Sequence, residues 1–158
     1  MRLIFTRSKL PLSAFIRFIS GEDCSHMVLV FDSRDGGIMF ESNLMGTHPK
    51  FYKSAQKHFT IVHEIDLKAK VEEEDAAWDL MVDTYDGRPY AFKGALYLAW
   101  RLILRKCTGR PLPAINPWNQ SGTYFCDQIY EILEKVGLKE IGVEVGMQTP
   151  HAVFEALQ

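Results

Sequence analysis

The sequence predicts an α+β fold in which a small central antiparallel sheet is packed by helices. Three observations predict it. Short apolar runs rich in β-branched and aromatic residues cluster between Arg2 and Ile65. A glycine-bearing turn separates two of them, which makes those two partners in a hairpin. From Val71 onward the pattern turns helical.

Taken in order, Arg2 to Thr6 reads as a strand, and Leu12 to Ile19 as a helix that ends at Gly21, a residue suited to the left-handed cap. His26-Met27-Val28-Leu29-Val30-Phe31 is apolar on both faces after its first residue, which suggests a central strand covered on each side. Asp32 to Gly37 forms the turn, and Ile38-Met39-Phe40-Glu41 is the partner strand. Phe59 to Ile65 adds a third sheet run. Val71 to Tyr85 is a helix whose first turn carries Glu72, Glu73, Glu74 and Asp75, placed to suit the helix dipole and read as a solvated start. Asp86-Gly87-Arg88-Pro89 breaks it, and a second helix runs from about Tyr90 to Lys106. A loop with Pro111, Pro113 and Pro117 follows. Tyr124 to Val136 is an amphipathic helix stopped at Gly137, and Thr149-Pro150 starts a last helix with a cap and an N-terminal proline.

The totals bound the function. A chain of 158 residues with 47% hydrophobic and 24% charged residues makes one domain, residues 1–158, long enough for a real core. Lys and Arg number 18 against 20 for Asp and Glu, so nothing argues for a nucleic-acid partner. The most apolar stretch, Ala91 to Leu104, contains Lys93 and Arg101 and falls short of the roughly 20 residues of a membrane span. Residues Met1 to Arg7 lack the hydrophobic centre of a secretory signal, which makes cytoplasmic residence the default expectation. A phage product or an effector delivered by another route would read the same way. Three cysteines, Cys24, Cys107 and Cys126, are an odd number in a chain that needs no staples, so reduced thiols are expected.

Cys126 lies about one turn inside the helix that begins after Thr123, where unpaired amide N–H groups and the dipole favour a thiolate and can hold an oxyanion. Taken on position alone, a cysteine there is more often a small buried hydrophobe. His26 opens the central strand. Pairing Phe31 with Gly36 sets His26 opposite Glu41, whose carboxylate would then orient the imidazole. A thiol, a base and an orienter are what nucleophilic acyl transfer requires. Ser25, Tyr90 and Tyr124 are further candidates to donate to an oxyanion or line the cleft, although aromatic residues at helix starts are more often core anchors. Phe92, Leu96, Leu102 and Ile103, with Trp100 close by, form either a core face or an apolar wall for an acyl substrate, core being the simpler reading. His48, His58, His63 and His151 show no zinc spacing, and no metal or cofactor is expected.

The order His26, Glu41, Cys126 places the nucleophile last. Ser25-His26 before an apolar strand, Glu41 at the end of the partner strand, Arg88-Pro89-Tyr90-Ala91-Phe92 before the middle helix, Tyr124-Phe125-Cys126-Asp127-Gln128-Ile129 on a late helix and the closing Thr149-Pro150 follow one pattern. In these features, which span most of the chain, it resembles the circularly permuted NlpC-type papain-like hydrolases, relatives of the lecithin:retinol acyltransferase-like proteins. The resemblance implies a permuted papain-like fold with Cys126 as nucleophile, His26 as general base and Glu41 as its orienter. It also implies an amide or ester substrate: a cell-wall peptide, a lipid or another acyl compound. Cys24 has no counterpart in that pattern, and packing is its default role, with a redox partner or metal ligand as the alternatives. Two other readings stand beside a cysteine hydrolase or acyltransferase. One is a non-catalytic papain-like module that binds a peptide, lipid or protein. The other is a metal site of Cys24, His26 and Cys126.

Overall fold

The computed structural model describes residues 1–34, 36–43, 45–113, 116–118, 129–138 and 149–158. Among these, five strands form one antiparallel sheet in the order β4-β3-β2-β1-β5. The strands are β1 (Arg2–Arg7), β2 (His26–Phe31), β3 (Ile38–Asn43), β4 (Gly46–Phe51) and β5 (Thr60–Asp66). The helices are α1 (Pro11–Ser20), α2 (Tyr52–Ala55), α3 (Val71–Leu80), α4 (Phe92–Thr108), α5 (Tyr130–Lys135) and α6 (Pro150–Ala156). The architecture is thus α+β, as the sequence predicts.

Alternation along β2 splits the core in two. Met27, Leu29 and Phe31 are fully buried with Leu3, Phe5 and Phe40 against Ala77, Met81, Ile132, Leu133 and Val153 of the helical layer. Val28 and Val30 lie on the other face with Ile4 and Met39, under Tyr52, Ala55 and Phe59. Phe31, Phe40 and Trp78 meet edge to face at centroid distances of 5.9, 5.3 and 5.3 Å. Burying each such ring stabilises the fold by about 1.5–3 kcal/mol.

Local signals account for most boundaries. Gly21 closes α1 in the left-handed region at φ 78°. Thr149 caps α6 by accepting a bond from the Ala152 amide at 3.2 Å, with Pro150 in the first turn. α3 leaves α geometry at Met81 and continues as a π-helical turn to Tyr85, while α4 begins at Phe92, two residues later than expected, because Ala91 has non-helical backbone.

Two features depart from the expectation. Phe31 pairs with Ile38 and not Gly36, a register shift of two residues produced by a longer connection in which Gly36 and Gly37 both take left-handed backbone. In addition, Gly46-Thr47-His48-Pro49-Lys50-Phe51 forms a strand that its composition does not announce. It lies at the sheet edge, where Pro49 costs no ladder bond on its outer side.

The acidic first turn of α3 is not wholly solvated. Glu74 is 5% exposed and accepts bonds from the Ser33 amide (3.0 Å) and hydroxyl (2.8 Å), fastening α3 to the β2–β3 connection. Burial pushes its carboxyl up, but the Ser33 bonds together with the Met1 ammonium, 3.2 Å from Oε2, more than offset this and hold it below the ordinary 4.5. Glu74→Ala is expected to lower stability at pH 7 by about 1–3 kcal/mol in urea unfolding, because both Ser33 donors lose their acceptor. A group with a depressed folded-state pKa stabilises above its unfolded value, so the difference between wild type and variant should shrink as the pH falls below 4.5.

Candidate active site

His26 begins β2 opposite Thr6 of β1 and is half-buried. It lies two residues before Val28 and shares that residue's side of the sheet. In the observed register Glu41 lies one step beyond the Phe40–Leu29 pair, level with Val28. It is therefore diagonal to His26 and not opposite it. Because the shift is an even number of residues, the two side chains still share a face. Diagonal neighbours stand about 7–8 Å apart at Cα, within reach of a glutamate.

The electrostatics tie them together. Burial pushes the His26 imidazole below its ordinary value of 6.5, the Glu41 charge opposes that shift, and Lys50 reinforces it. The imidazole is thus neutral at pH 7 and able to accept a proton. Among the described residues no hydrogen bond joins it to Glu41. Asn43 Nδ2 donates to Glu41 Oε1 at 2.5 Å, and Lys50 pairs with the same oxygen, so Oε2 is taken by neither. Lys50 comes from β4, as does His48, which directly faces Glu41 but turns its ring toward Asp86 and the Met45 carbonyl.

An open groove of about 580 Å³ adjoins Glu41, lined also by Lys50, Phe51, Ser54, His58 and Phe59.

Of the other sequence-predicted residues, Ser25 is buried, with its hydroxyl 2.6 Å from that of Ser13 on α1. Tyr90 is half-buried in the segment that follows Arg88, whose carbonyl accepts from the Thr47 amide at 3.0 Å. Gly46 permits that approach: at φ 108°, a Cβ there would stand 2.9 Å from the Arg88 carbonyl oxygen. Cys126 and Tyr124 lie outside the described residues. Cys24 is fully buried in the helix-side core, and burial, aided by the Asp23 charge, pushes its thiol up to about 12. This is the packing position expected of it, on the opposite face of the sheet from His26. On α4, Leu102 is buried, whereas Phe92, Leu96, Trp100 and Ile103 are exposed, so the core reading holds for Leu102 alone.

One cluster was missed from the sequence. Asp23, His63 and His151 place a ligand-type atom each within 4.8 Å of one another. Among the described residues no helix is long and apolar enough to cross a membrane.

The fold and this face define an α+β protein with a five-stranded antiparallel sheet and a histidine–carboxylate pair at the start of its central strand. No family model and no curated protein matches the chain. Among solved structures, it is similar to the crystal structure of the metalloprotein yiiX from Escherichia coli O157:H7, DUF1105, with a TM-score of 0.56 and 18% identity over 99% of this chain and 92% of that one. At that identity the likeness shows the fold alone.

The His26 environment makes a signed prediction for NMR titration of its ring. Its midpoint should lie below 6.5, move up in Lys50→Met and move further down in Glu41→Gln. Since the folded value is depressed, the unfolded chain takes up the proton first. Stability should therefore fall as the pH drops from 6.5 toward the folded midpoint, and level off below it. His26→Gln should remove this component of the pH dependence.

Proposed function

We propose that the chain is a cysteine-dependent hydrolase of permuted papain-like fold that acts on an amide or ester, with Cys126 as nucleophile, His26 as general base and Glu41 as the residue that orients His26. The observation that carries this reading is the half-buried His26, neutral at pH 7 because burial lowers its pKa, on the same face of the sheet as Glu41, whose charge acts on it. A base of depressed pKa with a carboxylate beside it is what proton transfer from a thiol at neutral pH requires.

The reaction balances with these groups alone. His26 takes the Cys126 proton, and the thiolate adds to the substrate carbonyl. As the C–N or C–O bond breaks, the imidazolium returns the proton to the leaving amine or alcohol, which leaves a thioester. Water, deprotonated by His26, then attacks the thioester and releases a carboxylic acid and the free thiol. Amide N–H groups at the start of the helix that the sequence predicts after Thr123 would stabilise the oxyanion at both stages. Glu41 Oε2, free of Asn43 and Lys50, is the oxygen that would accept from the imidazole. Ser25, buried and tied to Ser13, is a weak oxyanion candidate, and Tyr90 and Tyr124 stand as the other two.

The alternative is a non-catalytic papain-like module that binds a peptide, lipid or protein in the groove beside Glu41, since a fold does not guarantee its chemistry. Alkylation separates the two. Iodoacetamide applied over a range of pH, with the sites read by mass spectrometry, should label Cys126 ahead of Cys107 below pH 7 and leave Cys24 untouched until unfolding. His26→Ala should slow Cys126 labelling at pH 7 by at least about tenfold, in keeping with the 10²–10⁴-fold typical of a lost general base. Equal labelling of Cys126 and Cys107, unchanged in His26→Ala, would reject the enzyme and leave the binding module.

A further inference from the structure

Two histidines from different elements meet at one carboxylate on the side of the sheet away from His26. His63 lies on the edge strand β5 opposite Phe5, so its ring points into the helical layer. His151 stands in the first turn of α6, and Asp23 in the connection from α1 to β2. His63 Nε2 is 3.1 Å from Asp23 Oδ2, and His151 Nδ1 is 3.6 Å from Asp23 Oδ1. In a tetrahedral zinc site with bonds of about 2.0–2.1 Å, ligand atoms stand about 3.3–3.4 Å apart. The two histidine–carboxylate distances, made to different oxygens of Asp23, fall on either side of that value, and one ligand-type atom from each of the three residues lies within 4.8 Å of the others.

We propose that Asp23, His63 and His151 bind a divalent transition-metal ion of the zinc type through His63 Nε2, His151 Nδ1 and one oxygen of Asp23.

Several observations converge on this site. His151 Nδ1 is buried and has no hydrogen-bond partner, since 3.6 Å to Asp23 is too long for a bond. An orphaned buried nitrogen is costly, and a metal bond would satisfy it. The other nitrogen of the same ring lies 3.5 Å from Glu155 Oε1. That carboxylate adds negative charge behind the ring, without a hydrogen bond between them. The His63 ring is held in place by stacking on Phe154 at a centroid distance of 4.0 Å and an angle of 13°. Next to Asp23, Glu22 has one oxygen bonded by the Thr149 hydroxyl at 2.6 Å, while the other is buried without a partner. Glu22, Asp23 and Glu155 thus surround two imidazoles with negative charge, which suits a cation. Two nitrogens and one carboxylate select zinc-like ions over magnesium or calcium, and three protein ligands leave one position for water. A bound ion would tie the α1–β2 connection, the edge strand and α6 together, three residues upstream of His26.

The test uses the full chain without an affinity tag, stripped by chelator and titrated with Zn²⁺ by calorimetry and with Co²⁺ by visible absorption. One equivalent should bind, Co²⁺ should give the ligand-field bands of a four-coordinate nitrogen–oxygen complex, and the unfolding temperature should rise with ion concentration. His63→Ala and His151→Gln should each weaken binding at least about tenfold, as loss of a ligand does, whereas Cys126→Ala and His26→Ala should leave it unchanged. Metal-free unfolding temperatures of the variants establish that they fold. As a second readout, Co²⁺ should broaden the ring signals of His63 and His151 in the wild-type protein. Absence of stoichiometric binding, binding that persists in both histidine variants, or binding lost in Cys126→Ala would each overturn the site.

Discussion

Strand β2 is hydrogen-bonded on both edges and covered on both faces, and the strict alternation of its side chains decides what each side of the molecule contains. Met27, Leu29 and Phe31 commit one face to the helical layer. His26, Val28 and Val30 then have no choice but the other. A slip of one residue would bury His26 among Phe5, Phe40 and Met81 and force Met27, Leu29 and Phe31 into the space that Val28 and Val30 fill beneath Tyr52, Ala55 and Phe59. That constraint places an ionisable ring at the boundary of an apolar core, where its pKa falls. The chemistry of His26 is therefore a consequence of sheet packing.

Much of this was legible from the chain. β1, β2, β3 and β5 announce themselves by alternation or by continuous β-branched runs, and α1 and α6 by proline and glycine punctuation at their ends. β4 was not legible, because Thr47, His48, Pro49 and Lys50 supply no apolar periodicity; the exposed edge of β3 recruits them through backbone bonds. Register was only partly legible. Paired glycines suggested a tight turn, but Gly36 and Gly37 sit within a longer connection, and the strands pair two residues later than the shortest loop would give. An even shift preserves faces, which is why Glu41 remains beside His26 although the residue opposite it is different.

The site divides along the same line between local and non-local information. His26 and Glu41 belong to one hairpin, so their proximity follows from local pattern. Lys50, which competes for Glu41 and lowers the His26 pKa, arrives on the strand that composition concealed. Asp23, His63 and His151 belong to a loop, an edge strand and the last helix, and only the tertiary fold makes them neighbours. No spacing rule reaches across such distances, which explains why the isolated histidines carried no metal signal in the sequence. The two sites lie on opposite faces of the sheet, one beside the β3–β4 groove and one against α6.

The central claim is that Cys126 and His26 act as one unit. A crystal structure of the unmodified protein, read at Cys126, tests it most directly. The expected result is a Cys126 sulfur within hydrogen-bond reach of a nitrogen of His26, on the face of β2 that carries Val28 and Val30, with Glu41 turned to the other ring nitrogen. A Cys126 sulfur packed into the Phe5 and Phe40 core, with the sheet between it and His26, would contradict it.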